Sequence, residues 1–215
     1  GVTGCWGSMS GNAGDINNDG YQDIVLGNGS PRMERVEPMT LLQSDGRRFH
    51  DVTFMAGLPI TGKSHGINLA DLFGDGRMSL IVASGGAYPG DLLTVGAFCP
   101  KERPGHYLNV RLVGTRSNSS AIGARINIEA GGKEQHRLVS GGSQFGCLPF
   151  EQHFGLGPET QVVDAIDIWW PSGVRQRVAG PIAANNTIRI TEGDDRIEDV
   201  YPRHTITDRP HLELA

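Results

Sequence analysis

Cysteine is scarce in this chain. Its 215 residues include three, Cys5, Cys99 and Cys147, and none forms a C-x-x-C pair, so no paired-cysteine metal set is encoded. One disulfide with a free thiol fits, as does none. Long apolar runs are missing too: none approaches the ~20 residues that cross a bilayer as a helix, and no transmembrane segment is expected. Helix-period stretches are also absent, which leaves short strands and turns as the building material. There is no excess of positive charge. The formal net charge is −5 and the pI about 5.8, so nucleic acid is not an expected partner. Catalytic signatures are missing as well. The chain has no G-x-S-x-G elbow, P-loop, dinucleotide fingerprint or H-E-x-x-H, and its seven histidines show no metal-ligand spacing. These absences disfavour an enzyme, although a site can still assemble from distant residues. The chain opens at Gly1 with neither Met nor a signal peptide, as expected of a processed chain or of part of a longer one.

Glycine is abundant, at 31 residues, while only 20% of the chain is charged. A turn-rich, all-β architecture follows. The most informative stretch is Asp15-Ile16-Asn17-Asn18-Asp19-Gly20-Tyr21-Gln22-Asp23. Side-chain oxygens recur at loop positions 1, 3, 5 and 9, and Gly20 stands at position 6, where a loop wrapping an ion turns sharply. Calcium wants several oxygens at ~2.3–2.6 Å, and this spacing supplies them. Asp15, Asn17, Asp19 and Asp23 are the expected side-chain ligands, and the carbonyl of Tyr21 is the expected backbone ligand. An EF-hand is excluded, because position 12 is Leu26 and Ile24-Val25-Leu26 reads as a strand. An Asp/Asn/Gly turn without an ion is the plainer alternative.

The stretch recurs. Asp71 to Ser79 repeats it 56 residues further on, with Ser8 matching Ser64, Asn12 matching Asn68, Gly20 matching Gly76, and Ile24-Val25-Leu26 matching Leu80-Ile81-Val82. A strand-rich unit of this length suits a four-stranded propeller blade. The second loop keeps Asp71 and Asp75 but has Phe73 at position 3 and Ser79 at position 9. A weak calcium site or an ion-free turn is expected there, with Phe73 filling space. Lys63 and His65 precede it. Met9 stands in the place of His65 in the first repeat, so the unit itself does not demand a histidine. The pair reads either as binding residues on the calcium-loop face or as packed side chains.

The two loops resemble the FG-GAP, or VCBS, repeats of integrin-type β-propellers. Phe49-His50-Asp51-Val52-Thr53, Ala56-Gly57-Leu58 and Lys63-Ser64-His65-Gly66 before Ala70-Asp71 strengthen the resemblance, which covers roughly the first hundred residues. It implies calcium bound on one face of a propeller. Closed propellers need ~4–8 blades. Two units are therefore expected to be completed by further blades or by another protein chain, with Ile24 to Leu26 partly bare and Val2 and Trp6 toward the missing neighbour.

Residues 99–105, with Pro100, Pro104 and several charges, read as a linker. Beyond it the pattern is alternation: Leu108, Val110 and Leu112; Ile126, Ile128 and Ala130; Ile166, Ile168 and Trp170, with Asp167 and Trp169 opposite; Ile188 and Ile190. Gly131-Gly132 is a hairpin turn. A small self-standing sandwich over 106–193 is expected, with a charged tail over 194–215. Gly114 with Ser117-Asn118, Ile122-Gly123-Ala124-Arg125, Ser140-Gly141-Gly142-Ser143, His153-Phe154-Gly155-Leu156-Gly157 and Trp170-Pro171-Ser172-Gly173 resemble the ASPIC/UnbV domain. The combination resembles the family of cartilage acidic protein and its bacterial relatives. It implies a secreted or cell-surface protein, extracellular or periplasmic, and a structural role for His153. Trp169 is either a sugar-stacking platform or a packed side chain.

The sequence thus predicts an all-β chain, with a partial β-propeller of about two blades over 1–98 and a small β-sandwich after the linker. The expected function is a secreted calcium-binding module for protein–protein or protein–glycan interaction and adhesion, the C-terminal part of a larger propeller protein. The rival expectation is an enzyme, or an enzyme subunit, with its site near Lys63 and His65.

Overall fold

The computed structural model describes residues 7–29, 37–58, 63–86, 94–101, 105–142, 145 and 147–200. All regular structure among them is strand. The first repeat folds as β1 (Ser8–Gly14), β2 (Asp23–Asn28), β3 (Thr40–Ser44) and β4 (Phe49–Asp51), an antiparallel meander. The second folds as β5 (Ser64–Ala70), β6 (Ser79–Ser84) and β7 (Thr94–Phe98), also antiparallel. β5 and β6 match β1 and β2 strand for strand. The register slips at the same place in both pairs, between Ser8 and Ser10 and between Ser64 and Gly66. The repetition is therefore one of backbone shape, bulge included, and not only of letters.

The two repeat sheets pack on each other through Val25, Met39, Leu41, Ile67, Leu69, Leu80 and Val82. Ile24 and Leu26, on the other face of β2, are only half-buried, as expected of a blade with one covered side. Neither sheet closes on itself. Val2 and Trp6 lie outside the described residues, as does Cys5. Cys99 and Cys147 are unbonded and exposed. Phe73, expected to fill space, is instead 36% exposed at the surface.

The second half is a sandwich of two four-stranded sheets. One has the order β10 (Lys133–Leu138), β9 (Arg125–Ala130), β12 (Val162–Trp169), β13 (Arg175–Ala183). The other has the order β11 (Gln152–Gly157), β8 (His106–Val113), β14 (Asn186–Thr191), β15 (Ile197–Asp199). β14 runs parallel to β8; the other sandwich pairs are antiparallel. Gly131 and Gly132 take φ of +56° and +74°, the left-handed pair that a two-residue hairpin needs to match strand twist. The predicted alternation fills the space between the sheets: Leu108, Val110, Ile126, Ile128, Ile166, Ile168, Ile188 and Ile190 are all buried there with Phe154. Each such side chain contributes ~1.5–3 kcal/mol on burial.

One expectation needs correction here. The segment from 194 is not all tail, because Ile197–Asp199 pairs with β14 as an edge strand and Ile197 packs on the core. The remainder of the expected tail, with His204 and His211, lies outside the described residues. β8 is moreover covered on both faces, where the alternation of Leu108, Val110 and Leu112 accounts for one. Tyr107 and Asn109, on the face away from the sandwich core, are 3% and 1% exposed, because the repeats cover them.

Candidate functional site

The loop after β1 is held by its own backbone. Oδ1 of Asp15 accepts the Asp19 N–H at 3.0 Å and Oδ2 the Gly20 N–H at 2.8 Å. Asp23 accepts from the Ile16 and Ser44 amides at 2.9 and 2.8 Å. Oδ1 of Asp19 accepts from Tyr21 N–H, and the Asn17 amide donates to Oδ2 of Asp19, both at 2.8 Å. Asn18 and Gly20 make the sharp turn with φ of +55° and +94°.

Asp15 and Asp23 are 1% and 0% exposed, and neither forms an ion pair among the described residues. Burial pushes Asp15 up to about 7, with the Gly20 amide opposing and the Asp19 and Asp23 charges adding to the rise. Burial pushes Asp23 up to about 6. Arg137 attracts Asp15 without pairing to it. Two buried carboxylates with no ion pair are costly, and their hard oxygens suit a hard cation. Among the described residues no three His, Cys, Asp or Glu side chains converge in a metal-binding arrangement. A cation here would have to draw on the Asn17 amide and the Tyr21 carbonyl as well as on the acids.

The second loop copies this backbone. Asp71 accepts from the Asp75 and Gly76 amides at 3.0 and 2.8 Å, and Gly74 and Gly76 take φ of +64° and +82°. Its charge balance differs. Arg77, at loop position 7, donates from Nη2 to Asp75 at 2.7 Å and from Nε to both Asp75 oxygens at 3.1 Å. Its Nη1 reaches the carbonyls of Pro100 and Lys101 at 2.9 and 3.0 Å. This loop supplies its own cation and uses it to pin the linker.

Both loops are turned toward the sandwich, and the His153-Phe154-Gly155-Leu156-Gly157 strand lies on them. The Gly157 N–H donates to the Asn18 carbonyl at 2.7 Å. Nε2 of His153 is 2.7 Å from Oδ1 of Asn18, whose own amide donates to the Gly76 carbonyl at 2.8 Å. Nδ1 of His153 is 2.7 Å from Oδ1 of Asn109, whose amide reaches Asp71 at 3.0 Å and Thr187 at 3.3 Å. Tyr107 stacks on His153 with ring centroids 5.9 Å apart and donates its hydroxyl to the Gly74 carbonyl at 3.2 Å. Gly155 has no side chain for a packing reason: a Cβ there would overlap the Asp15 carboxylate and the Asn18 backbone. Gly76 likewise lies flat beneath the Tyr107 ring. Arg137 closes one side, its guanidinium donating to the His153 carbonyl at 3.2 Å and lying 4.9 Å from the centre of the Phe154 ring. Burial lowers Arg137 to about 10, against the pull of Asp15. The junction thus links one residue from each loop, Asn18 and Asp71, through the half-buried His153 and its partner Asn109.

The remaining predicted site residues lie elsewhere. Lys63 and His65 flank the start of β5, whereas the second loop leaves its end. At ~3.3 Å per strand residue, roughly 20 Å separates them, so they are not on the face that carries the two loops. Lys63 is buried and its backbone packs on Gly29; Nε2 of His65 is buried without a hydrogen-bond partner. Trp169 faces outward, 36% exposed.

Glu192, which the sequence did not single out, organises the loops of the sandwich. Its Oε2 accepts the N–H groups of Thr115, Arg116 and Ser117 at 2.9, 2.8 and 2.7 Å, and its Oε1 accepts from the hydroxyls of Ser117 and Ser172. Burial pushes this carboxyl up, but the five donors outweigh it and hold it at about 2.

A family model described as an FG-GAP-like repeat matches residues 15–82. A second, described as ASPIC and UnbV, matches residues 114–197. Among curated proteins, none matches the chain. FG-GAP repeats occur mostly in extracellular and cell-surface proteins and suit contact with other proteins. The chain is an FG-GAP repeat protein that carries an ASPIC and UnbV domain, with the repeat loops seated against that domain.

Proposed function

We propose that the chain is a secreted calcium-binding interaction module in which an ion in the first loop stiffens the joint between repeats and sandwich. The observation that carries this is the position of Asp15, a buried carboxylate with no ion pair among the described residues, which Arg137 attracts only from a distance and whose loop neighbour Asn18 is bonded to the second domain. Asp15, Asn17, Asp19, Asp23 and the Tyr21 carbonyl would hold the ion. The second loop, with Arg77 on Asp75, has less need of one. The module binds a protein or a glycan, and its open repeat sheets are completed by further blades or by a partner chain. Thermal unfolding of the full chain in millimolar calcium and in chelator tests the reading. A calcium-dependent rise in Tm that Asp19→Ala removes supports it; a Tm indifferent to calcium rejects it.

A further inference from the structure

One cross-strand row on the outer face of the sandwich combines an exposed aromatic ring with arginines. In the register of the β10-β9-β12-β13 sheet, Leu138 lies opposite Arg125, Arg125 opposite Trp169, and Trp169 opposite Arg175. Residues directly opposite share a face, with Cβ atoms ~4.5–5.5 Å apart. All four are exposed, and neither Arg125 nor Arg175 has an ion pair among the described residues. The nearby acids on this face are already engaged. Arg177 takes both Asp167 and Glu129, so Arg125 and Arg175 keep their charge for something outside the chain.

The row opens onto a cavity of about 820 Å³ at the junction of the two domains. Trp169, Arg125 and Leu138 form its sandwich wall, His136 and Gln152 add polar groups, and Gln22 enters from the first repeat loop. The volume lies within the ~300–1,000 Å³ usual for ligand sites. An indole face suits the C–H face of a pyranose ring, with its rim free to hydrogen-bond. Guanidinium groups on either side of it suit carboxylates spaced along a chain, because the planar fork pairs with a carboxylate through two parallel bonds.

We infer that this junction cleft binds an acidic oligosaccharide, with one sugar ring stacked on Trp169 and uronate carboxylates paired to Arg125 and Arg175. The inference rests on reading the chain as an interaction module, but not on its calcium. Because Gln22 lies between two residues of the calcium loop, the repeats contribute a wall to the site and the sandwich alone would present half of it.

Titration calorimetry of the full chain with trigalacturonate, the neutral trisaccharide of the same linkage, and triglutamate tests it. Binding of trigalacturonate with at least tenfold preference over both others is expected. Trp169→Ala and, separately, Arg125→Gln should each weaken it about tenfold or more; Tm should be unchanged for Arg125→Gln, whose side chain is exposed, and should fall for Trp169→Ala, whose ring is only 36% exposed. Glu159→Gln, an exposed change beyond the opposite end of β12 from Trp169, should leave it unchanged. Equal binding of the neutral sugar would overturn the role of the arginines, and equal binding of triglutamate would make the cleft a docking site for acidic protein. Absence of binding by all three would overturn the site outright. The calcium dependence of Tm, read on the same samples, separates that failure from failure of the module reading.

Discussion

Nε2 of His153 and Oδ1 of Asn18 meet at 2.7 Å across the boundary between the repeats and the sandwich. The amide nitrogen of Asn18 is committed to the Gly76 carbonyl and that of Asn109 to Asp71, so both amide oxygens face the ring and each ring nitrogen meets an acceptor. Burial, with Arg137 adding to it, pushes His153 down to about 3. Two hydrogen bonds to neutral amides favour the imidazolium by ~1 kcal/mol each, whereas desolvation by burial can shift a histidine by several pKa units. Burial wins. Nitrogen-15 NMR of the full chain should show His153 as a neutral imidazole from pH 7 to below pH 5. An imidazolium signal at pH 7 would mean that the two amide oxygens decide the charge.

Asn18 serves the turn and the joint at once, and two substitutions separate these roles. Gly74 occupies its place in the second repeat, also at positive φ. Asn18→Gly keeps the backbone and leaves Nε2 of His153 and the Gly76 carbonyl unpaired, so it should cost about 3 kcal/mol in urea unfolding. Asn18→Ala should cost ~1 kcal/mol more, because an L side chain is strained in that conformation. Equal losses would show that the left-handed turn carries no strain.

Stability should depend on pH in opposite senses with and without calcium. The folded-state values of Asp15 and Asp23, about 7 and about 6, lie above the unfolded value of 3.8. The folded chain therefore holds more protons than the unfolded one between these limits, and stability falls as pH rises from 4 to 7. In chelator, Tm should drop across that range. Calcium binds the ionised carboxylates, so in millimolar calcium the drop should disappear or reverse. Parallel curves in both buffers would remove the ion from the loop.

Glu192 gives the contrary case. Its folded value, about 2, lies below the ordinary 4.5, so its contribution is complete above about pH 4.5 and is lost as pH falls toward 2. Glu192→Gln turns an amide NH2 or a single oxygen toward three backbone donors and should cost about 3 kcal/mol at pH 7. The cost should shrink at pH 2.5. A pH-independent cost would point to shape and not charge.

Much of the fold is legible in the residues. The offset between Asp15 and Asp71 placed β1, β2, β5 and β6, and the alternation of Ile166, Ile168 and Trp170 gave β12 its inner face. The joint was not legible, because its residues look like ordinary surface. Tyr107 and Asn109 alternate outward from the sandwich core, and nothing local says that a second domain covers them. His153 reads as part of a motif and gives no sign of its partners 44 and 135 residues away. Two clues were present. Asn18 differs from its counterpart Gly74 at a position where a bare turn would accept glycine, and Gly155 interrupts a strand, which marks close approach of another backbone. The edge strand β15 escaped notice because three residues carry too little pattern.

β8 is covered by the sandwich on one side and by the repeat loops on the other. A protein assembled from interchangeable cassettes would keep each unit's surface indifferent to its neighbour. Here a transplanted ASPIC and UnbV domain would bring Tyr107, Asn109 and His153 and find nothing to receive them unless its new host offered an asparagine at the place of Asn18 and bare backbone at Gly76. Cutting the chain at the boundary between the two units therefore strips Tyr107, Asn109 and His153 of the partners that cover them.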